Sequence, residues 1–119
     1  MIYLGIDYGE KHVGVALAQG PLAEPLQSIL RNQAIQLIKP LVKQYDIGAI
    51  VVGDCPESFL NELSGLEIVI HQADETLSSH DARKSLLHTS QKKRRLNEHA
   101  VSAAIILQTW LDQNQATNI

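Results

Sequence analysis

Cysteine occurs once in this 119-residue sequence, at Cys55. One thiol can form neither an internal disulfide nor a thiolate cage for a metal, and this usage fits a reducing cytoplasm. Aromatic side chains are 4% of the residues, so no succession of rings along the chain supplies a stacking platform for single-stranded nucleic acid. Positive charge is not in excess either: 10 Lys and Arg stand against 13 Asp and Glu, for a net charge of −3. That balance excludes a protein that coats nucleic acid by charge alone and leaves room for a local basic patch. No apolar run reaches membrane-spanning length, and Asp7 and Glu10 interrupt the stretch where a signal peptide needs unbroken hydrophobicity. The expected location is the cytoplasm, with no membrane partner.

What is present is a chain 45% hydrophobic, enough for one core and too short for two. The expected organisation is a single domain over residues 1–113, with a disordered tail over 114–119. "IYLGIDY" and "HVGVALA" are short runs rich in Val, Ile and Leu joined by "GEK", the pattern of a β-hairpin. "PLAEPLQSIL" carries two prolines and reads as an edge strand or an irregular return. From Asn32 to Tyr45 the apolar positions Ile35, Leu37, Ile38, Leu41 and Val42 follow helical spacing, with Pro40 kinking or dividing the helix.

"IGAIVVG" (Ile47 to Gly53) is a continuous apolar run, as in a central strand covered on both faces. "DCPESFLNELSG" allows a short helix, "LEIVIHQ" another strand, and "SSHDARKSLLH" a serine-capped helix. "QKKRR" reads as a basic linker before "NEHAVSAAIILQTWLDQ", a helix with Ala100, Ala103, Leu107 and Leu111 on one stripe, widened by Ala104, Ile106 and Trp110. The order β-β-β-α-β-α-β-α-α gives an α/β fold: a mixed sheet, with an antiparallel N-terminal meander and parallel strands reached through crossovers, flanked by helices.

In that layout Asp7 ends the first strand, where the pattern calls for a buried residue, and a buried carboxylate without a partner costs several kcal/mol, of order 2–7, or is neutralised. A cation, a basic side chain or solvent must compensate it. Asp74 and Glu75 follow the last strand, and Glu98 and His99 open the last helix. Strand ends and helix starts can converge at one edge of an open α/β sheet, where ligands bind.

"GIDYGEKHVGVA", "VVG", "ADETLSSHDA" and "AVSAAIILQTWL" together resemble the YqgF/RuvX family of the RNase H-like superfamily. Its members are described as pre-16S rRNA nucleases and as Holliday-junction-resolvase-like proteins. The similarity runs from Met1 to about Asp112. The resemblance implies an RNase H-like fold and a metal-dependent endonuclease that processes the 5′ end of pre-16S rRNA during ribosome biogenesis. The partners it implies are structured RNA and ribosome-assembly intermediates, and the chain itself is expected to be a monomer or weak homodimer. The family's first-strand aspartate matches Asp7, and its "DER" acidic pair matches Asp74 and Glu75.

Phosphodiester hydrolysis needs a cation to neutralise phosphoryl oxygens and activate water, and Mg²⁺ or Mn²⁺ takes carboxylate oxygens. Such an ion would compensate Asp7, which could otherwise be a hydrogen-bonded turn residue before Gly9. The sequence departs from the family in four places. His12 and Thr76 replace arginines, and neither can clamp a phosphate bidentately. The loop over residues 54–65 is shortened. His99 falls where the third acidic residue belongs, with Ser102 there in the alternative register. Glu98 is adjacent but points away from the packed stripe. Imidazole can ligate a metal or act as a base, so the expected metal and catalytic set is Asp7, Glu75 and His99.

Lys11 and the run Lys92, Lys93, Arg94 and Arg95 are the candidate contacts to a phosphate backbone. Cys55 has no paired base in view, and His71, His80 and His88 form no zinc spacing. Two alternatives stand beside the nuclease. One is a degenerate module that binds RNA or an assembly partner without cutting, which the missing carboxylate and short loop favour. The other takes "GIDYGEK" as the phosphate loop of the actin, Hsp70 and sugar-kinase superfamily, which needs two such domains and does not fit this length.

Overall fold

The two N-terminal runs form an antiparallel hairpin, β1 (Tyr3–Tyr8) and β2 (His12–Ala18), in the computed structural model, which describes residues 1–73 and 91–116. Their register pairs Tyr3 with Ala18 and Asp7 with Gly14. The proline-bearing run is β3 (Ala23–Leu30), an edge strand antiparallel to β2. Its register slips between Val15 and Ala16, opposite Gln27 and Pro25. A proline cannot donate to the ladder, and an irregularity on an outer strand accommodates it.

A single 3₁₀ turn (Arg31–Gln33) leads into α1 (Ala34–Gln44), which passes Pro40 undivided. Both Pro40 and Gln36, whose carbonyl loses its donor, are exposed, so water takes the freed acceptor. β4 (Ala49–Val52) is buried along its whole length and lies parallel to β1. α2 (Glu57–Ser64) is the short helix expected, and β5 (Val69–Gln72) pairs parallel with β4. The sheet order is β3-β2-β1-β4-β5, the mixed sheet read from the sequence. Asp74, Glu75 and the helix expected over "SSHDARKSLLH" lie outside the described residues.

The last helix, α3 (Gln91–Ala116), corrects the sequence reading at both ends. "QKKRR" is not a linker but its opening turns, because Lys, Arg and Gln are good helix formers and no Gly or Pro interrupts them. At the other end the helix continues to Ala116, into the segment expected to be a tail, and Asn114 Nδ2 donates to the Trp110 carbonyl at 2.8 Å within it. Among the described residues no helix is long and apolar enough to cross a membrane.

Strand alternation gives the sheet two unlike faces. Leu4, Ile6, Val13, Val15, Ile50 and Val52 pack under Ile38 of α1 and Phe59 and Leu63 of α2. The opposite face is built of small residues, Gly5, Gly14, Ala16 and Ala18, and it receives α3 through Ala103, Ala104, Leu107 and Leu111. Burial of each such leucine contributes about 1.5–3 kcal/mol. The missing side chains let the helix approach: a Cβ on Gly5 would stand 2.7 Å from Leu107 Cβ and 3.0 Å from the Ala103 carbonyl oxygen.

The far end of α3 is tied down by Gln108. Its Oε1 accepts from the Ala23 amide at 2.8 Å, and its Nε2 donates to the Pro21 carbonyl at 2.9 Å. Trp110 closes the same end against Tyr3 and His71, with ring centroids 5.3 and 4.7 Å away. The helix is thereby fixed along the sheet, with its His99 turn on the β1–β2 hairpin, beside the C-terminal end of β1.

Candidate active site

β1, β4 and β5 are parallel, so their C-terminal ends share one edge. Asp7 occupies that end of β1, half-buried, on the face that carries α3. Its cross-strand partner is Gly14, and directly paired residues project to the same face about 4.5–5.5 Å apart. Gly14 has no side chain because the helix backbone takes its place. A Cβ there would overlap the carbonyl carbon and oxygen of His99 and come 2.8 Å from the Ala100 amide nitrogen. The His99 turn of α3 is therefore seated beside Asp7.

The His99 ring reaches over the hairpin. A Cβ on Gly9 would stand 3.4 Å from its Cε1, and the ring stacks on His12 at a centroid distance of 5.5 Å and an interplanar angle of 24°. His12 and His99 are both half-buried, whereas Glu98 is exposed. The structure thus brings Asp7 and His99 to one face of one sheet edge and adds His12, which sequence reasoning had treated only as a lost arginine. No spacing rule could have found that pair, since the two rings meet only because α3 lies against Gly14.

His99 does not open its helix. It lies eight residues in from Gln91, more than two turns into the helix. The basic run 92–95 occupies the turns before it. At 1.5 Å per residue the backbone of this run lies about 6–10 Å further along the axis than His99.

Lys11 is exposed in the hairpin turn, and its carbonyl accepts from the Arg31 amide at 2.9 Å, which joins the end of β3 to the site. Gly53 at the end of β4 donates to the Ile6 carbonyl at 3.1 Å, and Ala73 donates to the Val52 carbonyl at 2.7 Å. The described chain therefore arrives, one residue before Asp74, at the same edge. Among the described residues no three His, Cys, Asp or Glu side chains group closely enough to hold a metal ion. Of the expected metal set, Asp7 carries a hard oxygen and His99 a borderline nitrogen at this edge, and Glu75 lies outside the described residues.

A profile of the RuvX family, described as Holliday junction resolvase, matches residues 1–113. A protein of Crocosphaera subtropica (strain ATCC 51142 / BH68) named "Putative pre-16S rRNA nuclease" is 36% identical over 139 aligned positions, covering 98% of this chain and 96% of its own. One of the same name from Sulfurihydrogenibium sp. (strain YO3AOP1) is 34% identical over 140 positions, covering 97% and 95%. Both alignments are longer than this chain, so each relative carries residues that this chain lacks. Among solved structures, Thermus thermophilus RuvC in complex with a Holliday junction substrate superposes with a TM-score of 0.62 at 12% identity, covering 98% of each chain. The fowlpox virus resolvase bound to Holliday junction DNA gives 0.53 at 10% identity, covering 99% of this chain and 98% of its own. At these identities the likeness is one of fold, and that fold is RNase H-like.

Proposed function

From the chain's membership of the RuvX family, we propose that this nuclease hydrolyses phosphodiester bonds at the 5′ end of pre-16S rRNA, with Asp7, Glu75 and His99 holding a divalent cation. The observation that carries the reading is the seating of the His99 turn on Gly14, directly beside Asp7, at the C-terminal edge of the parallel strands. Glu75 joins them in this reading through its match to the family's acidic pair. When bound, a Mg²⁺ or Mn²⁺ ion neutralises the phosphoryl oxygens and lowers the pKa of the attacking water.

The chain's own residues do the rest. Asp7 offers carboxylate oxygens from a rigid strand end. His99 is oriented by the His12 ring and by the glycine turn. Lys11 and the run Lys92, Lys93, Arg94 and Arg95 attract the phosphate backbone from the two sides of the edge. Replacing the four basic residues of that run with Gln should weaken RNA binding across sequences and flatten the slope of log affinity against log salt, because fewer counterions are released. An unchanged slope would mean that the run only solvates the start of α3.

His99 also favours a second reading, an RNA-binding module that does not cut. A carboxylate brings negative charge to the cation and can bridge two ions, whereas a neutral imidazole gives one nitrogen to one ion. The nuclease reading expects wild type to prefer Mn²⁺ to Mg²⁺, and His99→Asp to raise Mg²⁺-supported cleavage at least tenfold, about 1.4 kcal/mol of barrier. Efficient Mg²⁺-dependent cleavage by wild type that falls in His99→Asp would make histidine the better ligand. RNA binding with no cleavage of RNA or branched DNA by either protein, in any divalent ion, would establish the binding module.

A further inference from the structure

On the other face of β1 from Asp7, the next residue, Tyr8, lines a cleft of about 590 Å³ between α1 and α2. That size is within the range of small-molecule pockets. Phe59, 4% exposed, forms its floor and backs the Tyr8 ring at 4.7 Å and 54°. Arg31 stands at the rim, exposed, and its Nη1 donates a long 3.4 Å bond to Tyr8 Oη. A shallower depression of about 340 Å³ shares Arg31 and Asn32 with the cleft and extends past Lys11 to His12. His12 in turn stacks on His99. The two hollows thus form one path from the proposed metal site, around the hairpin turn, into the cleft.

We propose that this path binds an unpaired nucleotide flanking the scissile phosphate, with its base on Tyr8 and its phosphate between Arg31 and Lys11. The inference rests on the nuclease reading above. Charge sets the orientation: Lys11 and Arg31 line the depression toward the site against the single carboxylate of Glu10, while the exposed Glu62 lines the cleft and disfavours a phosphate there. Glu62 and Ser58 instead offer acceptors to the polar edge of a base. A base still paired in a helix cannot enter, because its edges and faces are covered, whereas a splayed one stacks on an aromatic ring. The sparse aromatics of the sequence offered no platform when read in order. The fold creates one by joining Tyr8 and Phe59, which are far apart in the chain.

The test compares two RNA hairpins, one blunt and one carrying a three-nucleotide single-stranded extension, by fluorescence anisotropy in EDTA, so that cleavage does not enter. Wild type should bind the extended hairpin at least about tenfold more tightly, about 1.4 kcal/mol. Tyr8→Leu and Arg31→Gln should each cut that ratio to threefold or less, while Tyr8→Phe, which keeps the ring, should retain it. Arg31 is exposed, so Arg31→Gln decides the matter even if Tyr8→Leu unfolds. Equal binding of the two hairpins by wild type, or an unchanged ratio in Arg31→Gln, would overturn the proposal. Neither result bears on whether Asp7 is needed for cleavage, which is measured with metal present.

Discussion

Asp7→Asn should lose divalent-metal-dependent cleavage by at least about a thousandfold, equivalent to ~4 kcal/mol of barrier. Asparagine has the same shape, but it is neutral and offers one carbonyl oxygen where the carboxylate offers two. In the proposed set Asp7 and Glu75 carry all the negative charge, since His99 brings none, so loss of one charge halves it. Asp7 is half-buried at a strand end, and its backbone pairing with Gly14 does not involve the side chain. The melting temperature should stay within a few degrees of wild type, while calorimetric titration with Mn²⁺ shows weakened binding. Undiminished cleavage by purified Asp7→Asn would remove Asp7 from the catalytic set.

The second large effect is on stability. Gly14→Ala inserts a methyl group where the His99 carbonyl lies, with the Ala100 amide nitrogen at 2.8 Å. Overpacking typically costs about 1–3 kcal/mol. The obstacle here is helix backbone, which cannot rotate away as a flexible side chain can, so the upper end of that range is expected. For a domain of this size that corresponds to a fall in Tm of about 10 °C. Gly20→Ala is the matched control, because nothing lies within 4 Å of the added atom and its backbone is not left-handed. It should be neutral. Equal melting temperatures for the two variants would mean that α3 is free to move away from the sheet, and the placement of His99 would lose its support.

The strands and the core were the legible part of the sequence. Val, Ile and Leu runs with short polar breaks define β1, β2, β4 and β5 closely, and the stripe Ala100, Ala103, Leu107 and Leu111 is buried as its spacing predicts. The start of α3 was not legible, because a Lys- and Arg-rich segment without apolar residues carries no periodicity, although its residues favour a helix. The undivided passage of α1 through Pro40 was hidden for a related reason: whether a freed carbonyl meets water depends on which way the helix faces.

At the site, Asp7 stood out as a carboxylate where a strand pattern asks for a buried apolar residue. The role of His12 could not be read, since its contact with His99 depends on two glycines whose missing side chains matter only once the helix is docked. Tyr8 and Phe59 were invisible as a pair for the same reason, being joined by a crossover rather than by spacing.

The distance along the chain between Asp7 and His99 also has a consequence in time. Some ninety residues separate them, so a ribosome adding about 5–20 residues per second needs roughly 5–18 s after Asp7 to deliver His99. In the later part of that interval the alanine and glycine face of the sheet still lacks α3, while α1 and α2 have been made and can pack the other face. A contact of such long range also forms slowly, since loop closure precedes any gain from packing. A nascent chain therefore holds a half-layered sheet with its acidic strand end in place and its histidine not yet delivered. With His99 in the proposed set, activity at this edge begins only when α3 has left the ribosome and docked.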